Sequence, residues 1–245
     1  SRHIYDQACV LHAAGATRVL GEHWSRWATV VPLAVSDEFF ADYDDGEAFN
    51  GPDSAVRFVY IGTLNRVRRL ENIISAAQKI RSNSNGIKSF ESSFIGPDKT
   101  NGQYQRMVEQ LHLETIVKIK SPIPYQDVPH VLSEYDVALA YVPEHPLDWR
   151  YHPTLKVLEY RASGMPIIAT DFQPNRDIVE HGINGLLVAN SPGEIAEAMQ
   201  RFINDRQFLG DCIVIAWPSR VAVVCLDVRV RGVIGLWGGR VVPLV

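Results

Sequence analysis

Residues 57–81 read RFVYIGTLNRVRRLENIISAAQKIR, and the change of rhythm inside this stretch decides the fold. Residues 57–62 are a compact apolar run ending in Gly62, the length of a buried strand. Residues 69–81 then place Leu70, Ile73, Ile74, Ala77 and Ile80 at helical spacing, so an amphipathic helix follows. The same alternation recurs downstream. Strands are expected at 89–96, 115–120, 136–141, 166–170 and 185–189, with helices at 101–112, 128–134, 153–163 and 192–204. Short apolar strands alternating with amphipathic helices imply a parallel sheet covered on both faces. Right-handed crossovers make this a Rossmann-like, doubly wound α/β sandwich, whose ligands bind beyond the carboxyl ends of the strands.

Outside 55–210 the chain changes character. Residues 1–35 read as helix, short strand (CVLH), helix and short strand (TVV), like the tail of a preceding α/β domain. Residues 36–54 (SDEFFADYDDGEAFNGPDS) are acidic and rich in turn formers, which suits a linker. Beyond 211 the composition shifts abruptly. From Ile213 onward there are ten valines and four arginines but no Lys, Glu, Asn, Gln or His. That stretch shows no sustained helical period, and Arg220, Asp227, Arg229 and Arg231 interrupt any membrane span. It reads as an atypical tail, a non-native sequence or a Val-rich edge.

Composition limits the function classes. With 46% hydrophobic and 21% charged residues among 245, the chain is an ordinary globular protein with a sizeable core. A formal charge of −4 gives no broad positive field, so general nucleic-acid binding is not expected. Cys9, Cys212 and Cys225 lie far apart with no CxxC, and the N-terminus lacks the apolar run of a signal peptide. Free thiols and a cytoplasmic location are the expectation. The eight histidines show no HExxH or other ligand spacing. Asp42, Asp44 and Asp45 imitate a metal-binding DxD, but they fall in the linker and read better as a solvated turn.

The segment richest in chemistry is 151–171, YHPTLKVLEYRASGMPIIATD. Pro153 suits the first position of a helix, and Gly164 with Pro166 stops it. The open N–H groups of Thr154, Leu155 and Lys156, together with the helix dipole, make an anion site. Glu159 lies further along that helix and can accept hydrogen bonds from ribose hydroxyls. It can equally form an i,i+3 pair with Lys156 on an exposed face. After the first strand, Gly62 permits close approach of a ligand, and Arg66, Arg68 and Arg69 can clamp a diphosphate or merely decorate a solvated loop. There is no GxxxxGK[ST] and no GxGxxG.

Taken together, these segments resemble the nucleotide-binding half of glycosyltransferase family 4, whose fold is GT-B. The resemblance rests on Gly62-Thr63-Leu64 with Arg68 at the basic position, on LKVLEYRASGMPIIATD with Glu159 as the second glutamate of a Glu-x7-Glu segment, and on NRDIVEHGINGLLV at 175–188. It covers about 55–205 well and 1–50 weakly. It implies a retaining transferase that takes a nucleoside-diphosphate sugar as donor, needs no cofactor or metal, and acts on a saccharide or lipid-linked acceptor. It also implies that the catalytic histidine and acceptor site lie upstream of Ser1, with room there for peripheral membrane association. The implied donor-binding residues are Gly62, Thr63, Arg68, Ile123, Tyr141, Tyr151, His152, Thr154, Leu155, Lys156 and Glu159.

Several positions depart from the pattern. Tyr151 stands where relatives carry the sugar-contacting first glutamate, and Thr63 replaces the first-loop arginine. His152, Pro153 and Lys156 look like the Pro-x-x-Lys variant of the helix start. Ile123, within Ser121-Pro122-Ile123-Pro124, falls where relatives place the base, although a rigid turn explains the prolines as well. Tyr141 follows the fourth strand and is expected at the sugar pocket, with Glu144 either beside it or on the surface. No nucleophile is expected, since nothing resembles the paired carboxylates of a retaining hydrolase. The competing reading from another class is a non-catalytic nucleotide-sugar-binding module. A receiver fold would need an acidic pair after strand one, which Gly62, Gly96 and Ser121 do not offer, and a related epimerase would need carboxylates from two domains.

Overall fold

The computed structural model describes residues 8–10, 16–17, 21–26, 28–30, 33–40, 54–83, 89–143 and 154–219. Near the N-terminus, β1 (Ala8–Val10) and β2 (Ala28–Val30) pair in parallel as a two-stranded sheet of their own. The main sheet is built from β3 (Val56–Ile61), β4 (Phe90–Ile95), β5 (Val117–Lys120), β6 (Val137–Ala140), β7 (Ile167–Thr170) and β8 (Gly185–Val188). Its order is β5-β4-β3-β6-β7-β8, with every neighbouring pair parallel. The chain therefore winds outward from β3 to β5, crosses back to the other side of β3, and winds outward again. This is the doubly wound α/β fold that the alternation of 57–81 implies.

The helices are α1 (Glu71–Ser82), α2 (Gln103–Gln110), α3 (Val128–Leu132), α4 (Leu155–Ala162), α5 (Gln173–Arg176), α6 (Pro192–Asn204) and α7 (Arg206–Ser219). They sort into two layers because successive side chains on a strand face opposite ways. Phe58 and Tyr60 of β3 point into a core shared with α1, α2, α6 and α7, where Ile73, Ile74, Ile80, Tyr104, Val108, Met199, Phe202 and Leu209 are buried. Val59 points the other way, into a core with Val128 and Leu132 of α3 and Val157 and Tyr160 of α4. Tyr60 and Phe94 lie opposite each other across β3 and β4 with ring centroids 6.3 Å apart.

Three features lie outside the sequence expectation. The acidic stretch read as a linker begins with a 3-10 turn, Asp37–Phe40, and Phe39 is buried in the second core together with Val35. An aromatic anchor within an acidic run is what the composition hid. Helix α7 also continues past 213 to Ser219, where no helical period was legible. The carboxylate of Asp205 accepts the Phe208 N–H at 2.9 Å, and Phe208, Leu209 and Cys212 seat in the first core. Once nucleated in this way, a helix extends at little further cost. Finally, α1 starts two residues later than the spacing suggests, because Arg69 is left-handed (φ 50°) and ends a separate 3-10 turn, Arg66–Arg68. Asp42, Asp44, Asp45 and residues 220–245 lie outside the described residues.

Candidate functional site: the crevice beyond β3 and β6

The winding reverses between β3 and β6, so the loops beyond their carboxyl ends part and leave a crevice. The chain leaves β3 at Gly62, with φ at +150°. A Cβ there would lie 2.5 Å from Nζ of Lys156, so only glycine lets that ammonium settle on the strand end. Lys156 Nζ donates to the Ile61 carbonyl at 2.9 Å and stands 4.7 Å from the centroid of the Tyr60 ring. At the end of β4, a Cβ on Gly96 would fall 2.2 Å from the Gly62 carbonyl oxygen. The two loops can therefore pack backbone to backbone.

Helix α4 carries Lys156 to this point. Tyr160, buried one turn beyond, accepts the Ile61 N–H on its hydroxyl at 2.9 Å and ties the helix to the end of β3. Thr154 caps the helix with extended backbone, and its carbonyl accepts the Val157 N–H at 3.2 Å. Its hydroxyl is enclosed and makes no hydrogen bond. The first N–H groups of a helix have no acceptor within it, so the start at Thr154, Leu155 and Lys156 is electropositive.

Arg68 approaches from the loop after β3. Asn65 holds that loop by accepting the Arg68 N–H on its side-chain oxygen at 2.9 Å. Burial pushes the Lys156 pKa down to about 8, Arg68 pushes it in the same direction, and Glu159 opposes both. Arg68, Lys156 and Glu159 thus share one electrostatic neighbourhood. Glu159 is half-buried, and burial raises its carboxyl above the usual range. A hydrogen bond from the Tyr125 hydroxyl, 3.0 Å from Oε1, and the charge of Lys156 pull it back.

The remaining sequence candidates distribute as follows. Thr63 is half-buried, its carbonyl 3.5 Å from the Tyr60 hydroxyl. Leu155 is exposed at the helix start. Ile123 is half-buried against the second core. Tyr141 is buried in the first core, on the opposite layer from α4. Its hydroxyl accepts from Asn72 Nδ2 at 2.6 Å and donates to Asn190, so it links the loops after β6 and β8 to α1 rather than joining Glu159. Tyr151, His152, Pro153 and Glu144 lie outside the described residues. Sequence reasoning missed Tyr125 and Tyr160. Tyr160 left a faint signal as an aromatic on the inward face of α4, whereas Tyr125 in an exposed loop left none.

Among the described residues, no group of three or more His, Cys, Asp or Glu could hold a metal ion, and no helix is long and apolar enough to cross a membrane.

An all-parallel, doubly wound sheet with cations and a helix start gathered at its switch point is a Rossmann-like α/β domain. Residues 46–216 match the family described as Glycosyl transferases group 1, and the chain belongs to that family. It is similar in fold to TarM of S. aureus, solved with UDP, alpha-GlcNAc-glycerol and fondaparinux, at 16% identity and TM-score 0.73 over 95% of this chain and 44% of TarM. It is similar also to HepE of Anabaena solved with UDP-glucose, at 14% identity and TM-score 0.74 over 96% of this chain and 64% of HepE. A third likeness is to the sucrose-phosphate synthase of Thermosynechococcus elongatus, at 18% identity and TM-score 0.73 over 94% of this chain and 57% of that enzyme. The chain thus spans between 44% and 64% of the length of these three proteins. No curated protein sequence matches it.

Proposed function

We propose that the chain supplies the donor-binding part of a retaining glycosyltransferase of family 4, which moves a sugar from a nucleoside-diphosphate sugar to a saccharide or lipid-linked acceptor. The observation that carries this reading is the convergence of Lys156, Arg68 and the start of α4 on the end of β3, with Glu159 one turn along the same helix. The diphosphate sits against the Lys156 ammonium, the Arg68 guanidinium and the amides of 154–156. Glu159 takes the ribose hydroxyls, and the base lies toward Ile123. As the bond to the anomeric carbon breaks, negative charge grows on the leaving diphosphate and these fixed cations stabilise it. The same cations carry the neutralisation that a metal would otherwise supply, so we propose a metal-independent reaction. The presence of UDP or UDP-glucose in solved relatives of the same fold supports the donor class. A cytoplasmic location and peripheral contact with a membrane belong to the same proposal.

Calorimetry with UDP, GDP and ADP, each beside its monophosphate, tests it. One diphosphate should bind about tenfold or more tightly than its monophosphate, since the cations face the second phosphate. Equal affinity for the two would sink the assignment. Tyr151, at the position of the sugar-contacting glutamate in relatives, favours a second reading as a non-catalytic binding module. Slow hydrolysis of the bound donor would appear only in the enzyme.

A further inference from the structure

The contact that the proposed chemistry leaves unexplained is Tyr125 on Glu159. The Tyr125 hydroxyl donates to Glu159 Oε1 at 3.0 Å, which is the bond that a ribose hydroxyl would make to the same oxygen. We propose that Tyr125 is an internal stand-in for the ligand: it occupies Glu159 in the empty site and is displaced when a ribose diol binds. This rests on the reading of Glu159 as the ribose-binding carboxylate.

The two partners are unequally held. Glu159 lies on α4, which the Tyr160–Ile61 and Lys156–Ile61 hydrogen bonds fasten to β3. Tyr125 is 52% exposed and belongs to a single 3-10 turn, Tyr125–Asp127, that follows Pro122 and Pro124. Its ring leans at 52° on that of Phe39, 5.7 Å away. A rotation about the tyrosine side chain therefore breaks the bond without disturbing the sheet, and the released hydroxyl is hydrated at once. The half-buried carboxylate gains from a donor held against it, because hydrogen bonds to an ionised group are stronger than those between neutral groups. A ribose diol replaces the lost donor, whereas a sugar without hydroxyls does not. Tyr125 thus makes the site exchange one hydroxyl for another, and it lowers the net affinity for any ribonucleotide. Because Tyr125 rests on Phe39, the exchange is also felt by the 33–40 segment anchored in the second core.

The test uses the full chain and two probes, UDP and its 2′,3′-dideoxy analogue. Tyr125→Phe keeps the ring on Phe39 and removes only the hydroxyl. The variant should bind UDP about fivefold more tightly, the worth of one modest hydrogen bond, with its affinity for the analogue unchanged. Weaker or unchanged UDP binding, or an equal shift for both probes, overturns the stand-in. Glu159→Leu, which removes both acceptor oxygens at similar volume, separately tests the reading beneath it and should erase the discrimination between UDP and the analogue. A wild-type chain that binds the two equally, or a Leu variant that still discriminates, overturns the role of Glu159 whatever Tyr125→Phe does.

Discussion

The two ends of β3 treat positive charge in opposite ways. At the amino end, Arg57 meets Asp136 at the start of β6 through Nη2–Oδ1 at 2.9 Å and Nε–Oδ2 at 3.2 Å. The Arg57 N–H also donates to Oδ2 at 2.7 Å, and the Asp136 N–H returns to the Arg57 carbonyl at 2.8 Å. With Asp136 buried at 5% exposure, this end is a closed clip across the two central strands. At the carboxyl end of the same strand, the half-buried Lys156 stands near Arg68, whose charge adds to burial in lowering the Lys156 pKa. One end joins β3 to β6, and the other holds a perturbed lysine that, on the proposed reading, a diphosphate would pair with. Perturbed groups of the second kind are candidates for a binding site, whereas satisfied pairs of the first kind belong to the frame.

Breaking the clip should have the largest effect. Asp136→Ala leaves Arg57 without its main partner at the sheet and should cost about 3 kcal/mol in urea denaturation. The affinity of the remaining folded protein for UDP should change by less than about twofold. A loss of affinity at constant stability would show that the amino end is part of the site.

Lys156→Met attacks the other end and should reverse the signature. Affinity for a nucleoside diphosphate falls about 100-fold, in line with removal of one fixed positive group from an anion site. Stability should change little, because relief of a disfavoured charge offsets the lost hydrogen bond to Ile61. The pKa of Lys156 is lower in the folded chain than in the unfolded one, so folding penalises its charged form. That penalty is full below about pH 8 and fades as the pH rises toward the ordinary lysine range. A large drop in Tm would make Lys156 a structural residue.

The same titration gives a smaller effect in the intact protein. The ammonium must be protonated to hold a diphosphate, so affinity should weaken by up to about tenfold per pH unit above pH 8. Lys156→Arg should remove that alkaline limb. On the acid side, affinity should fall at a pH above the usual carboxylate range, because burial raises the Glu159 carboxyl. Calorimetry across the pH range in matched buffers distinguishes the limbs, and a flat profile would separate Lys156 from the anion.

Much of this molecule is legible without coordinates because its strands are short and mostly apolar, β3 and β4 being closed by Gly62 and Gly96, and its helices carry their own period. Right-handed crossovers then make a doubly wound sandwich the expectation, while the order β5-β4-β3-β6-β7-β8 is set by long-range pairing outside any local pattern. The position of Glu159 along a helix from Lys156 is legible too, since i,i+3 spacing fixes it. The reach of Lys156 back to Ile61, and of Tyr125 across to Glu159, is not. Those contacts span 95 and 34 residues and depend on how α4 seats on the sheet, which no local pattern encodes. Tyr141 shows the converse, a residue at the right strand end whose side chain the alternation sends to the other layer. Phe39 shows that an acidic run can still hold a core anchor.

The smallest expected effect concerns Arg69, which joins the loop of Arg68 to α1. Arg69 holds φ 50° and ψ 41°, where a Cβ crowds the following carbonyl. An ion pair with Glu71, Nε to Oε1 at 3.6 Å, compensates little, since Arg69 is 55% exposed and water screens it. Arg69→Gly should relieve the left-handed strain, and the gain is offset in part by the greater freedom that glycine gives the unfolded chain. The balance is a stabilisation of about 0.5–1 kcal/mol, read as a higher urea midpoint at constant slope. Arg69→Val places a β-branched side chain in the same conformation and should destabilise by a similar amount or more. If both variants lose stability equally, the side chain of Arg69 matters more than its backbone, and the loop beyond β3 is held by charge rather than by geometry.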